Sequence, residues 1–134
     1  MKKILWIIAS LLIWTSCKKK DTIPQNLLLG KWTLSDYIHD GADIFPTAFS
    51  PCWIDNIITF ASNNQLTSDE GPTKCDPADP QTLTGSYTFD ANSKLLVVTY
   101  NGSTDTDYVR LLNSTTLKIE QQSNADLITY TRVP

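Results

Sequence analysis

Residues 83–100 read LTGSYTFDANSKLLVVTY and consist of two alternating segments joined by a polar turn. In the first segment Tyr87 and Phe89 fall on one face, while Ser and Thr fill the other. The joining residues, Asp90-Ala91-Asn92-Ser93, are short, polar and tolerant of left-handed backbone conformations. The stretch therefore predicts a β-hairpin with one buried face.

The same period of two residues recurs from Leu29 onward, and no window of twelve residues sustains the apolar spacing of an amphipathic helix. Two longer loops are predicted, at 39–52 and 70–82, and the first has room for one helical turn around 44–49. The eight predicted strands cover residues 30–38, 53–61, 65–69, 83–90, 94–100, 104–112, 115–121 and 126–133.

Short connections favour antiparallel neighbours, and an eight-stranded meander leaves two exposed edges unless the sheet closes. The predicted fold class is therefore all-β, and the predicted architecture is an eight-stranded up-and-down antiparallel barrel. A β-sandwich is the alternative, but it needs long crossover connections, which the chain offers only near its first strand. Trp32, Leu34 and Ile38 are predicted to share one face of that strand.

The composition indicates one globular domain: the chain has 134 residues, of which 41% are hydrophobic and 19% are charged. Eleven Lys and Arg against fourteen Asp and Glu give a net charge of −3, which argues against a basic nucleic-acid-binding protein. The chain has one His and three Cys, and it lacks the common hydrolase, metalloprotease and nucleotide-binding motifs. We therefore predict no catalytic residue, no metal site, no cofactor and no nucleic-acid partner.

The N-terminal residues follow the order of a bacterial export signal. Met1-Lys2-Lys3 precedes an apolar run over residues 4–13, which is followed by Trp14-Thr15-Ser16-Cys17. Ten apolar residues extend only about 15 Å as a helix, too little to span a bilayer. The small residues before Cys17 resemble the lipobox of bacterial lipoproteins, which implies cleavage after residue 16 and lipidation of Cys17. An ordinary secretory signal is the alternative.

Residues 1–16 are thus predicted to be a signal peptide, 17–26 the lipidated cysteine with a polar tether, and 27–134 the folded domain. The domain has six basic and thirteen acidic residues, a net charge of −7. The expected location is the bacterial cell envelope, with a lipid anchor in a membrane and the domain in the periplasm or at the cell surface.

Cys52 and Cys75 remain as an even pair in an exported protein, which predicts a disulfide. They precede the second strand and follow the third, so a hairpin would bring them together and the bridge would pin the long loops at one rim. A reactive thiol or a cysteine metal site is the alternative, but no CxxC spacing or nearby His supports it.

Several short motifs resemble those of lipocalins. Gly30-Lys31-Trp32 resembles the GxW motif of the first strand, Thr106-Asp107-Tyr108 is similar to the TDY element, and Arg132 lies where lipocalins carry a basic residue. More closely, the chain resembles the lipocalin-like domains of small bacterial envelope lipoproteins. The segments that carry this closer resemblance are 28–32 (LLGKW), 52–60, 71–76 and 85–89.

The resemblance implies that Gly30 and Trp32 belong to the closed base of the barrel and that Arg132 lies over the Trp32 ring as a cation–π pair. It also implies non-covalent binding of a small apolar or amphipathic ligand at the opposite, open end. A filled barrel that contacts another envelope protein through its long loops is the alternative. The aromatic candidates for the ligand site, each of which could instead fill the core, are Phe60, Tyr87, Phe89, Tyr100, Tyr108 and Tyr130.

Overall fold

A computed structural model describes residues 23–134 of the chain. The predicted signal peptide, Cys17 and the start of the predicted tether lie outside these residues. Within 23–134, no helix is both long enough and apolar enough to span a bilayer. The elements are a 3-10 helix Gln25–Leu27, β1 Gly30–His39, β2 Ala42–Asp43, α1 Pro51–Ile54, β3 Ile57–Phe60, β4 Gln65–Asp69, β5 Thr82–Asp90, β6 Leu95–Tyr100, β7 Ser103–Leu112, β8 Thr116–Gln121 and β9 Leu127–Arg132.

The sheet closes through its first strand. β1 pairs antiparallel with both β3 and β9, and strands β3 to β9 pair in chain order. Eight strands therefore form an up-and-down antiparallel barrel, as the sequence predicts, and the sandwich is excluded. β2 adds only two residues beside the end of β1, where Ile38 pairs with Asp43.

The second predicted strand is wrong in its first half. Residues 51–54 form the single helical turn α1, and β3 begins only at Ile57. Pro51 occupies the first turn, where its fixed φ angle suits a helix, and the Thr33 hydroxyl donates to the Ile54 carbonyl at 3.3 Å. The single helical turn predicted around 44–49 is present: the Ala48 amide donates to the Ile44 carbonyl at 2.9 Å, and the turn does not continue into a helix.

A bulge in β1 changes which side chains face the core. The pairing with β9 shifts between Leu34 and Asp36, and the extra residue reverses the alternation that follows. Tyr37 therefore packs against the core cluster. The prediction that Ile38 continues the face of Trp32 is wrong, because strict alternation cannot anticipate a bulge.

Residues before 27 also take part in the packing at the base of the barrel. Ile23 and Leu27 pack against the core, and the 3-10 helix between them lies next to Leu28, which is fully buried. Part of the segment predicted as tether thus belongs to the barrel's base. Its apolar residues are too widely spaced to show a period, so the sequence pattern does not reveal their burial.

The disulfide between Cys52 and Cys75 is confirmed, with the two Cα atoms 5.1 Å apart. It joins α1 to the irregular segment between β4 and β5. Both lie at the end of the barrel opposite Trp32, so the bridge fixes one rim, as expected. The same end contains two adjoining cavities.

Candidate functional site

The base of the barrel is filled around Trp32. Its side chain is fully buried, and its indole N–H donates to the Leu28 carbonyl at 2.9 Å. The Arg132 guanidinium carbon lies 4.2 Å from the centre of the Trp32 ring, so the predicted cation–π pair is present.

Arg132 also closes the base by hydrogen bonding. Its guanidinium donates to the carbonyls of Ser114 at 2.6 Å, Leu29 at 2.7 Å and Leu27. Gly30 lies directly under this group with φ +125°, and any side chain at Gly30 would collide with the guanidinium nitrogen. The geometry of Gly30, Trp32 and Arg132 is that of a packed, sealed base.

The open end contains two adjoining cavities of about 170 and 210 Å³, which share Ile58, Ile128 and Tyr130 in their walls. The inner cavity lies within the barrel, and the outer one lies between β1 and the segment that leads into β3. The inner lining consists of Trp32, Ile58, Phe60, Val98, Tyr100, Asp105, Asp107, Leu117, Ile119, Gln121, Ile128 and Tyr130. The outer lining consists of Leu34, Tyr37, Phe49, Trp53, Asn56, Ile58, Ser68, Ile128 and Tyr130.

Three of the six aromatic candidates line the inner cavity: Phe60, Tyr100 and Tyr130. Tyr87 and Phe89 are buried in the core and line neither cavity. Tyr87 packs edge-on against Phe60 at 4.9 Å, and its hydroxyl donates to the Ala61 carbonyl at 2.7 Å. These two side chains fill the lower barrel, which is the alternative that the sequence left open for them.

Tyr108, the remaining aromatic candidate, lines neither cavity, so the prediction that it belongs to the ligand site is wrong. In β7 the buried side chains are Asp107 and Val109, so Tyr108 between them lies on the outer face. The Arg110 guanidinium lies 5.2 Å from its ring centre, and the Gln122 amide donates to its hydroxyl at 3.2 Å. Thr106-Asp107-Tyr108, the TDY-like motif, lies in β7, and the residue of this motif that faces the interior is its aspartate.

Asp105, Asp107 and Gln121 are the inner-facing polar residues that the sequence analysis missed. A signal was available, because Val109 is apolar and the period of two residues places Asp107 and Asp105 on its face. Burial, and then repulsion from Asp105, raise the pKa of the Asp107 carboxyl to about 6.

The tyrosines beside this carboxylate lie in a similar environment. Burial raises the pKa of Tyr100 to about 12, and burial followed by the charge of Asp107 raises the pKa of Tyr130. Among residues 23–134, the buried Tyr100 hydroxyl has no hydrogen-bond partner. Gly85 provides the space for this ring, because a Cβ atom there would lie 2.7 Å from it.

A hydrogen-bonded cluster fixes the rim beside the outer cavity. Asp126 is buried and accepts from the Tyr37 hydroxyl at 2.7 Å and the Asn124 amide at 2.8 Å, and it lies 2.9 Å from His39 Nδ1. The hydrogen bond from Tyr37, and then the one from His39, hold the pKa of Asp126 below its usual value; Asp126 in turn raises the pKa of His39. The cluster joins β1 to the turn before β9.

Aromatic residues of the irregular segment 44–56 cover the outer cavity. Phe49 packs on Tyr37 with ring centres 5.1 Å apart, and Phe45 lies 6.1 Å from Phe49. Trp53 lines the same cavity while 58% of its surface stays exposed. Across residues 23–134, no three His, Cys, Asp or Glu side chains converge where they could hold a metal ion.

Comparison with known proteins agrees with this architecture. A lipocalin-like protein from Bacteroides uniformis ATCC 8492 superposes with a TM-score of 0.59 at 14% identity, over 80% of this chain and 99% of that one. A DUF4847 family protein from Bacteroides vulgatus ATCC 8482 gives a TM-score of 0.57 at 11% identity, over 78% and 93% of the two chains. At these identities the two structures support the fold alone. No curated protein matches the chain. The model of the lipocalin-like domain matches residues 28–119, and the chain therefore belongs to the lipocalin-like domain family.

Proposed function

We propose that this protein is a non-enzymatic binding protein that holds a small apolar or amphipathic molecule in the open end of its barrel. The observation that carries the proposal is the contrast between a sealed base and a pair of adjoining cavities, about 170 and 210 Å³, at the other end. Their walls are mostly aromatic and aliphatic with a few polar groups, which is the usual composition of a small-molecule site.

Native mass spectrometry of protein purified from its own host, followed by denaturation, tests this function. We expect a small molecule that stays bound in the native spectrum and is lost on denaturation. Val98→Phe, which fills the inner cavity, should abolish the bound mass. Val97→Phe is the matched control, because Val97 is the neighbouring residue of β6 and lies outside both cavity linings. A bound mass that survives Val98→Phe would contradict binding in the barrel.

We also propose that the domain is tethered to a membrane of the bacterial cell envelope through a lipid on Cys17. The lipobox resemblance supports this, and Ile23, which packs partly buried against the core, leaves only a short segment between Cys17 and the barrel. Cys17→Ser should move the protein from the membrane fraction to the soluble fraction and remove the acyl mass. Unchanged fractionation without any acyl mass on the wild-type protein would contradict the anchor.

An interaction module is the second candidate, and the exposed Trp53 favours it. A large aromatic side chain that is 58% exposed on the rim can anchor a protein interface. If native spectra of the host-purified protein contain only the unliganded mass, together with a protein partner that Trp53→Ala removes, this candidate replaces the first.

A further inference from the structure

Asp107 is a buried residue whose carboxylate faces the inner cavity without a partner from the barrel. Its side chain points into the inner cavity, and the residue is only 7% exposed. Among the hydrogen bonds and ion pairs of residues 23–134, none involves its carboxylate. Burying an uncompensated charge costs folding free energy, so stability alone does not account for an aspartate here.

A second carboxylate lies on the same face of the strand, nearer to solvent. Asp105 precedes Asp107 by two residues and lines the same cavity. The pairing of β7 with β8 ends at Asp107 and Gln121, so β7 continues past its neighbour toward the rim. The resulting polar opening, about 270 Å³ in volume, is lined by Thr104, Asp105, Thr106, Asp107, Gln121, Gln122 and Ser123.

The surroundings supply no positive charge to this pair. None of the residues that line the opening or the two cavities is Lys or Arg. Arg110, on the outer face of the same strand, is already paired with Glu120 at 2.7 Å. The electrostatic potential at the two carboxylates is therefore negative, and it acts most strongly at Asp107, which is buried, whereas Asp105 is exposed.

The remaining walls suit the apolar part of an organic molecule. Val98, Ile128 and the rings of Tyr100 and Tyr130 surround the space beside Asp107. Aromatic faces also attract organic cations, and the Tyr100 hydroxyl is a buried polar group with no partner among the described residues. This lining favours an organic ligand over a metal ion, which prefers a shell of oxygen ligands.

We propose that the open-end cavity binds a small organic cation, with its protonated amine between Asp105 and Asp107 and its apolar body against Tyr100, Tyr130 and Ile128. This inference rests on the proposed function and names the chemical class of its ligand. The bound ammonium supplies the ion pair that the folded chain does not provide for Asp107.

The pH dependence of binding follows from the ionisation of Asp107. Its pKa is raised to about 6, so amine binding strengthens as the pH rises through that value and the carboxyl loses its proton. The titratable groups that face it are Asp105 on its own strand, Tyr100 from β6 and Tyr130 from β9, whereas β8 presents the uncharged Gln121. Both tyrosines stay neutral there, because burial raises the pKa of each.

Three probes of nearly the same shape and different charge test the proposal: phenethylamine, phenethyl alcohol and hydrocinnamate. Binding is measured by isothermal titration calorimetry on protein expressed from the full sequence and held in lipid nanodiscs, with empty nanodiscs as the blank. At about pH 8, we expect the amine to bind about tenfold more tightly than the alcohol, since a charge-assisted hydrogen bond has that strength. The anion should bind most weakly.

Two aspartate variants make the test specific. Asp107→Asn keeps the shape and removes the charge, so it should weaken amine binding about tenfold and leave the alcohol within about threefold. Asp79→Asn is the control: it makes the same change in net charge on the exposed 70–81 segment and should leave all three affinities unchanged.

The possible failures separate the two proposals. If the alcohol or the anion binds as tightly as the amine, or Asp107→Asn leaves the amine unaffected, the cation inference is wrong while barrel binding stands. The same holds if Ca²⁺ displaces the amine, since the carboxylates would then be a metal site. If none of the probes binds and the host-purified protein carries no small molecule, the proposed function fails as well.

Discussion

The closed and open ends of the barrel differ in how their polar groups are satisfied. At the closed end the Trp32 indole and the Arg132 guanidinium have partners, and Leu28, whose carbonyl accepts from the indole, is fully buried. At the open end the Tyr100 hydroxyl is buried without a partner, and no hydrogen bond or ion pair of residues 23–134 involves the Asp107 carboxylate, which lines the inner cavity. The same strands build both ends, and the free polar groups lie in the inner cavity, whereas Asp126 at the rim is held by Tyr37, Asn124 and His39.

The largest effect is expected at the base. Trp32→Ala should lower the free energy of unfolding by about 3–5 kcal/mol, because it removes a fully buried side chain and leaves a cavity. Urea unfolding measures this loss. Trp53→Ala is the matched control at the rim, where the side chain is 58% exposed, and it should cost less than about 1 kcal/mol. Equal losses of unfolding free energy in the two variants would contradict the difference in packing between the two ends.

Removing the disulfide measures how much it contributes to the rigidity of the open end. Replacing Cys52 and Cys75 by Ser should lower stability by about 3 kcal/mol, because the bridge no longer restricts the unfolded chain. Hydrogen exchange should accelerate most in segments 44–56 and 70–81, which the bridge joins. Unchanged exchange in those segments would mean that the packing of Phe49 and Trp53 holds the rim without it.

Asp107→Asn should stabilise the protein in the absence of ligand, by about 2 kcal/mol at about pH 8. The carboxyl pKa is about 6 when folded and near 4 in an unfolded chain, so the folded state holds the extra proton between these values. Stability is therefore lost as the pH rises from about 4 to about 6, and Asn avoids this loss.

Unfolding curves at about pH 4 and about pH 8 check this difference, which should be small at the lower value. Asp79→Asn serves again as the control and should show little change at either pH. A loss of stability in Asp107→Asn at the higher pH would show that the ionised carboxylate has a stabilising partner, contrary to the account.

The smallest expected change in stability concerns two tyrosines on opposite faces of the barrel. Tyr100 faces the interior and Tyr108 faces the outside. Tyr100→Phe removes a buried hydroxyl that has no partner in the described part of the chain, so it should raise stability by about 1 kcal/mol. Tyr108→Phe removes an outer hydroxyl that accepts from Gln122 and should change stability by less than about 0.5 kcal/mol. Thermal melts of the two variants compare the faces directly, and a destabilised Tyr100→Phe would contradict a free hydroxyl.

The barrel could be predicted because its strands carry a regular signal. Alternation along the chain and short turns were enough to predict closure, and the pairing of the first and last strands follows from it. The departures are local. The helical turn at Pro51–Ile54 and the bulge after Leu34 break the period of two residues, and neither leaves a pattern that alternation can detect.

The site was predicted less completely than the fold. Aromatic residues on alternating strands predict Phe60, Tyr100 and Tyr130 correctly, but residue type alone also predicts Tyr108, which lies on the outer face of β7. Asp107 was overlooked because acidic residues in strands usually face solvent. Its position two residues before Val109 predicts the opposite, so register was the better guide than residue type.

Methyl NMR spectra of the protein during a titration with phenethylamine test the central claim most directly. We expect the signals of Ile58, Val98 and Ile128, which line the cavities, to shift in proportion to bound amine. The signals of Leu28, Leu66 and Leu112, buried in the core and absent from both cavity linings, should stay in place. Shifts confined to those core leucines, or no shifts at saturating amine, would contradict a structural base and a ligand-binding open end.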